Sequence, residues 1–324
     1  MYVPDSREGG YLNEPSPASV QEGGAVAGQP STSGKDDNLW LTGAWLSSFI
    51  LAHRAGINAD FPREYSDWTK YRVLLLPSPL TSTEKILAHV RTDFWEKALR
   101  YVENGGLLYA SLCADAAIPE MEHLFGARLQ DHEPDGEVTL KVVTSFGNLH
   151  PGDTFRYTAN AGDSRHWAAV VEVTGGKVIA VDGEGRPALI ANSFGKGRTL
   201  LSTYPLETYL ATLPSAFDKH DKTHRIYRAF REWTGVQTQF AVDNPSIQVS
   251  CLASRNRGYV VLVNHSCRRV SAGLTSIFPV DSLRRVEPQG LTALPRGVQK
   301  WQVDLEPYGG AVIEWTLTDS PRQP

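Results

Sequence analysis

Two uninterrupted apolar runs with a helical stretch between them constrain this chain more than any other feature. Tyr71-Arg72-Val73-Leu74-Leu75-Leu76 is closed by Pro77 and Pro79, and Leu107-Leu108-Tyr109-Ala110-Ser111-Leu112 follows Asn104-Gly105-Gly106. A strand that stays apolar at successive positions is buried on both faces, as in parallel sheets covered by helices. Between the runs Trp95, Leu99 and Val102 recur at helical spacing, and Asn104-Gly105-Gly106 stops the helix. Strand, helix and strand in that order imply parallel pairing with helices on both faces. Ile118 to Phe125 reads as a further short helix stopped by Gly126. Ahead of the first strand, Leu41, Trp45, Phe49 and Ala52 mark another helix, capped by Asp36-Asp37-Asn38 and ended by Gly56.

From about Glu137 the pattern changes to short strands: Glu137–Val143, Ala168–Val173, Lys177–Val181, Ala188–Asn192 and Thr199–Thr203, with turns at Gly175-Gly176, Asp182-Gly183 and Gly195-Lys196-Gly197. Ile226, Phe230 and Trp233 give one more helix, ending at Gly235. Beyond it Ile247–Ser254, Tyr259–Asn264, a loop region, Lys300–Leu305 and Ala311–Leu317 show turn signals and no helical period, which indicates a small β-sandwich. Residues 1–34 carry fifteen Gly, Pro or Ser and one apolar cluster, Ala25-Val26-Ala27, too little apolar surface to offset the entropy of ordering. The expected layout is an arm over 1–36, an α/β domain over 37–236, an all-β domain over 237–318 and a tail over 319–324.

Charge and composition exclude several classes of function. With 324 residues, 41% hydrophobic and 21% charged, the chain reads as globular and long enough for two domains. A formal net charge of −4 gives no basic face for nucleic acid. No apolar run reaches the ~18 residues of a membrane span, and Met1-Tyr2-Val3-Pro4-Asp5 does not open a secretory signal. Three cysteines do not make a disulfide scaffold. Pairing Ile247–Ser254 with Tyr259–Asn264 sets Cys251 opposite about Leu262, out of bonding reach of Cys267. Three free thiols fit a reducing, cytoplasmic compartment.

The order of the segments resembles a known family. Tyr71 to Pro77, then a helix, then Tyr101-Val102-Glu103-Asn104-Gly105-Gly106-Leu107-Leu108, then Leu124-Phe125-Gly126-Ala127, is similar to the trimerisation domain of family 42 β-galactosidases. Phe194-Gly195-Lys196-Gly197-Arg198 before a strand, Val261-Leu262-Val263-Asn264-His265-Ser266, and Leu305-Glu306-Pro307-Tyr308-Gly309-Gly310 before the last strand extend the resemblance over roughly residues 38–317. It implies a flavodoxin-like, class I glutamine amidotransferase-like fold followed by the β-sandwich. It also implies a homo-oligomer, or assembly with a barrel-bearing glycosidase subunit, or walling of a neighbour's active site. Such enzymes act through two carboxylates on a (β/α)₈ barrel of about 250 residues. Only 34 residues precede the first helix here, so the expectation is a chain without the barrel and without carried-over catalytic residues. The family's first central strand has no better counterpart than Gly24-Ala25-Val26-Ala27, which leaves an open sheet edge.

Several residues are candidates for chemistry. Cys113 follows a buried strand and precedes a helical segment, where amidotransferase-like folds place a nucleophile and where a helix dipole favours thiolate. Leu112 and Ala114 flank it in place of glycines. In class I amidotransferases the base lies in a His-Pro-Glu run after a late strand; Thr203-Tyr204-Pro205-Leu206-Glu207 stands at the equivalent place here, and a tyrosine of ordinary pKa ~10 is no base at neutral pH. Cys113 therefore reads as a buried apolar thiol, with a cysteine-dependent hydrolase or amidotransferase as the alternative, and Glu207 is the second catalytic candidate. His220 and His224 have the i, i+4 spacing of metal ligands, with Asp218 and Asp221 nearby, but no Glu follows His220 as in zincins. Gly195-Lys196-Gly197 lacks the spacer and helix of a phosphate loop and reads as a hairpin turn. No cofactor is expected. Eight tryptophans raise a carbohydrate-binding module as a third reading. Trp40, Trp45, Trp95, Trp233, Trp301 and Trp315 fall at core spacing, which leaves Trp68 and Trp167, in expected loops, as the residues to meet a sugar.

Overall fold

The computed structural model describes residues 33–317 apart from 63–65, 80–91, 115–117, 119, 219–220, 255, 288–289 and 294–298. The expected arm up to residue 32, the tail over 319–324 and His220 lie outside the described residues. The chain forms two compact units. One holds Asp60–Phe230 and the first helix up to Phe49; the other holds the chain from Arg231 onward and Ile50–Ala59.

The first unit runs α1 (Ser33–Arg54), β1 (Val73–Leu76), α2 (Thr92–Glu103), β2 (Leu107–Ser111), α3 (Met121–Phe125), β3 (Ala127–Glu133), β4 (Glu137–Val142), β5 (Thr154–Thr158), β6 (Ala168–Val173), β7 (Lys177–Val181), β8 (Pro187–Phe194), β9 (Gly197–Ser202), α4 (Leu206–Thr212) and α5 (His224–Thr234), the last residues of α1 and α5 falling in the second unit. Helix α1 starts at Ser33, ahead of the expected Asp36 cap. A seven-stranded sheet has the order β1-β2-β9-β8-β7-β4-β5, and β3 pairs with β6 in a separate ribbon. Only β1, β2 and β9 are parallel; β8, β7, β4 and β5 continue antiparallel. The fold is thus mixed α/β: the parallel pairing expected of the strand–helix–strand segment extends to β9 and stops there. The physical reason is the Gly195-Lys196-Gly197 turn, where Phe194 pairs with Gly197: a turn that short returns the chain antiparallel, whereas a parallel neighbour needs a long crossover.

Alternation in the strands sorts side chains to the two faces. Leu74 and Leu76 of β1, and Leu108 and Ala110 of β2, pack with Phe94, Trp95, Ala98 and Val102 of α2 in one buried cluster. Tyr109 and Ser111 of β2 project to the opposite face, where the polar site forms.

The hairpin turn also locks the end of α2. Gly195 has φ 57°, and Lys196 N–H donates to Glu103 O at 2.9 Å. A Cβ on Gly197 would land on the carbonyl oxygens of Val102 and Gly106. Backbone does not yield as a side chain does, so Gly197→Ala is expected to destabilise the protein by about 1–3 kcal/mol, the range of overpacked interiors. A urea titration followed by tryptophan fluorescence measures it.

The second unit contains β10 (Phe240–Val242), β11 (Ile247–Ser254), β12 (Arg257–Asn264), β13 (Val270–Ser276), β14 (Ser282–Glu287), β15 (Gly290–Ala293), β16 (Lys300–Leu305) and β17 (Gly310–Thr316). Two sheets, β10-β13-β16 and β11-β12-β17-β14-β15, contribute to one core of Phe240, Leu262, Leu274, Trp301, Val303, Ile313 and Trp315 among others. Strand β12 alternates buried and outward residues, the pattern of an antiparallel sheet with one face on the core. The stretch expected to be a loop after Asn264 holds β13, β14 and β15. Strand β12 starts at Arg257, so Ser254 pairs with Arg257 and Cys251 faces Val260, not Leu262. All three cysteines are free. Among the described residues no helix is long and apolar enough to cross a membrane.

Candidate functional site

The carboxyl ends of the three parallel strands meet at a buried polar cluster. In open α/β sheets this end of the strands is the usual place for a site. Glu207, in the first turn of α4, is fully buried. Tyr109 and Ser111 lie two residues apart on β2 and so face it together. The Tyr109 hydroxyl donates to Glu207 Oε1 at 2.7 Å and the Ser111 hydroxyl to Oε2 at 2.5 Å. From α5 the Tyr227 hydroxyl donates to Oε1 at 2.6 Å and also contacts Ser48 Oγ of α1 at 2.8 Å.

The cluster continues to the end of β1. Ser78 N–H donates to Ser111 Oγ at 2.9 Å, and Thr208 Oγ1 donates to Ser78 Oγ at 3.2 Å. Ser78 holds a left-handed φ of 43°, a conformation that persists in a non-glycine residue where surrounding bonds hold it. Burial, reinforced by the neighbouring Glu207, pushes the phenols of Tyr109 and Tyr227 well above their ordinary value. Both therefore stay protonated and serve as hydrogen-bond donors, not as bases. The buried carboxylate is satisfied by hydroxyl groups alone; among the described residues no lysine, arginine or histidine is hydrogen-bonded to it.

A second buried carboxylate anchors the chain after β9. The Tyr204 hydroxyl donates to Asp182 Oδ2 at 2.7 Å and Arg186 Nε to the same oxygen at 2.6 Å. Backbone N–H groups of Glu184 and Arg186 each donate to Asp182 Oδ1 at 2.9 Å. Burial raises the Asp182 pKa, but the bonds from Tyr204, Arg186 and the backbone outweigh it and hold the carboxyl below its ordinary value. Arg186 also reaches Glu133.

The three positions that a cysteine triad would use are committed in different directions. Glu207 binds Tyr109, Ser111 and Tyr227, and Tyr204 binds Asp182. Cys113 is 1% exposed, with Sγ directed to Pro79 O at 4.0 Å. Among the described residues the next helix is α3, which begins only at Met121, so the expected helix dipole at Cys113 is not found there. The native thiol is expected to resist iodoacetamide until urea unfolds the protein, and Cys113→Ser to cost about 1–3 kcal/mol because a buried hydroxyl needs a partner. Rapid alkylation of the folded protein at Cys113, read by peptide mass, would contradict this.

The other candidates are separate. His224 opens α5 and is buried, while Asp221 Oδ1 accepts from Thr223 N–H at 2.9 Å as a turn-capping group. Trp68 is not exposed as expected. It sits in a 3-10 turn, Trp68–Lys70, capped by Asp67, and is 3% exposed against Phe94 and Tyr101. Trp167 is half-buried, its indole N–H donating to Ala161 O at 2.9 Å. Sequence reasoning named Glu207 but not its partners Tyr109, Ser111 and Tyr227. The one signal was two hydroxyl residues at i, i+2 in an otherwise aliphatic strand.

Residues 43–217 match the family described as the β-galactosidase trimerisation domain. No curated protein matches the chain. Among solved structures the α-L-fucosidase isoenzyme 2 of Paenibacillus thiaminolyticus is similar with a TM-score of 0.62 and 15% identity, over 86% of this chain and 45% of its own. The β-galactosidase of Bacillus circulans sp. alkalophilus gives 0.59 and 15%, over 85% and 37%. That of a Rahnella species gives 0.58 and 14%, over 85% and 36%. The chain thus spans less than half the length of each of these proteins, and identities this low establish a shared fold.

Proposed function

The chain belongs to the β-galactosidase trimerisation domain family, and from that membership we propose that it is the non-catalytic portion of a β-galactosidase-like glycoside hydrolase, acting in subunit assembly. The match over 43–217 carries the reading, because it takes in β1 to α4 and with them Glu207, Tyr109 and Ser111. In this reading the first unit is a flavodoxin-like, amidotransferase-like domain whose reactive positions have become structural, and the second is a β-sandwich. Glu207 ties the strand ends to the helices instead of facing a substrate. The partner is a second copy of this chain or a barrel-bearing glycosidase subunit, and carbohydrate chemistry belongs to that partner. Three free thiols support a reducing, cytoplasmic setting. The cysteine-dependent alternative finds no support in a buried Cys113 and a Tyr204 held by Asp182.

Sedimentation velocity over a wide concentration range tests the reading. The chain is expected to sediment as a trimer, or to join a complex when a barrel-bearing glycosidase subunit is added. A monomer under both conditions overturns it. Alone, the chain is expected to hydrolyse no nitrophenyl-galactoside above buffer background.

A further inference from the structure

Away from the Glu207 cluster, the first unit gathers cations around one open cleft. The cleft has a volume of about 440 Å³ and lies between the Trp68–Lys70 turn with the approach to β1 and the last turns of α2. Lys70 and Arg72 come from the first side. Lys97 and Arg100 come from the second, three residues apart on one helix face. The chain as a whole carries a net charge of −4, so this concentration reverses the sign of the protein locally.

The cations are held at the cleft and outnumber its carboxylates among the described residues. Lys97 Nζ lies 4.1 Å from the centre of the Trp68 ring and donates to Ser66 O at 2.9 Å, which fixes its ammonium at the wall of the cleft. Asp67 is the one carboxylate lining the cleft among the described residues; Thr69 N–H and Thr69 Oγ1 donate to its Oδ1 at 3.0 Å and 2.6 Å, and its charge offsets part of that of Lys70 and Lys97. Arg100 and Glu96 stand 4.0 Å apart with 67% and 63% of their side chains exposed, a contact too solvated to neutralise the guanidinium. No carboxylate among the described residues forms an ion pair with Lys70 or Arg72. Two guanidinium forks and two ammonium groups around a cleft of small-ligand size suit an anion with several charged groups, since each fork takes an oxyanion bidentately.

We propose that this cleft binds a small polyanion carrying at least two sulfate, phosphate or carboxylate groups. The cleft shares no lining residue with the Glu207 cluster.

Isothermal titration of the full chain at low salt tests it with three probes: pyrophosphate, a fully sulfated heparin disaccharide, and lactose as the neutral control. At least one charged probe is expected to bind, and which one binds separates an inorganic anion from charge borne on a sugar. Lactose is expected not to bind. Raising the salt should weaken the binding, because solvated charges are screened over about 10 Å at 0.1 M ionic strength. Arg72→Gln combined with Arg100→Gln should lower affinity at least tenfold, while Arg72→Lys combined with Arg100→Lys, which keeps the charge but removes the forks, should fall between the parent and the double glutamine variant. Both arginines are exposed, so an unchanged melting temperature certifies the variants, and Lys70→Gln provides a second one. Absence of binding by both charged probes, equal binding of lactose, or undiminished affinity in the double glutamine variant overturns the proposal.

Discussion

Glu207→Ala is expected to lower the stability of the protein by about 3–5 kcal/mol, one of the largest single-residue effects in the chain. The substitution leaves the hydroxyls of Tyr109, Ser111 and Tyr227 without their acceptor in a fully buried site. A buried donor stripped of its partner costs about 1–3 kcal/mol, and the cavity adds to that. Two effects reduce the sum: Ser111 and Tyr227 keep contacts to Ser78 and Ser48, and the desolvated carboxylate is gone. Glu207→Gln preserves volume and one acceptor oxygen but sets an amide donor among hydroxyl donors, so a loss of about 1–3 kcal/mol is expected. Urea denaturation gives both values. An alanine variant within 1 kcal/mol of the parent would show that the cluster does not secure the strand ends.

The second large effect is expected at Asp182. Asp182→Ala removes the acceptor for Tyr204, Arg186 and two backbone N–H groups at once. Breaking a buried ion pair costs about 3–5 kcal/mol, but Arg186 is 26% exposed and keeps Glu133, so about 2–4 kcal/mol is expected. The pH dependence separates the charge from the packing. Asp182 has a folded pKa below its unfolded one, because its hydrogen bonds outweigh the opposing effect of burial. Its stabilisation is complete above the unfolded value of about 3.9 and is lost as pH falls through the lower folded value. The gap between parent and Asp182→Ala should therefore be constant near neutrality and shrink in acid. A gap that stays constant down to the acid transition would assign the effect to volume alone.

What could be read in the sequence follows how strongly each segment advertises its burial. Strands β1 and β2 are legible because burial on both faces demands apolar residues at successive positions. Helices α2 and α5 are legible through their spaced aromatics. Strand β3, Ala-Arg-Leu-Gln-Asp-His-Glu, is not, because only Ala127 is buried and its single strand partner, β6, is supplied by distant chain. Helix α4 escapes for the opposite reason: it buries Glu207 and Thr208, whose polarity imitates a loop. The burial of Trp68 is not legible, because a three-residue turn has too few positions to show a period and nothing local reveals the Asp67 cap. Cys251 faces Val260 and not Leu262 because one strand end decides the facing of the entire hairpin, and β12 begins at Arg257. At the candidate site, Glu207 could be named from its place after a late strand. Its partners could not, since Tyr227 reaches it from another helix.

The junction of β2 with β9, where Leu107 pairs with Arg198, carries a kinetic consequence. The hairpin of β8 and β9 is local and can close within microseconds. Joining β9 to β2 must instead shut a long loop, whose entropy is lost before the contact repays it. During synthesis β1 and β2 leave the ribosome well ahead of the strand that completes their sheet. The nascent chain then displays two nearly continuous apolar segments with unpaired backbone, the state in which partly made proteins aggregate. Yield in a cell is accordingly expected to depend on chaperone supply during that interval more than on the equilibrium stability of the finished fold.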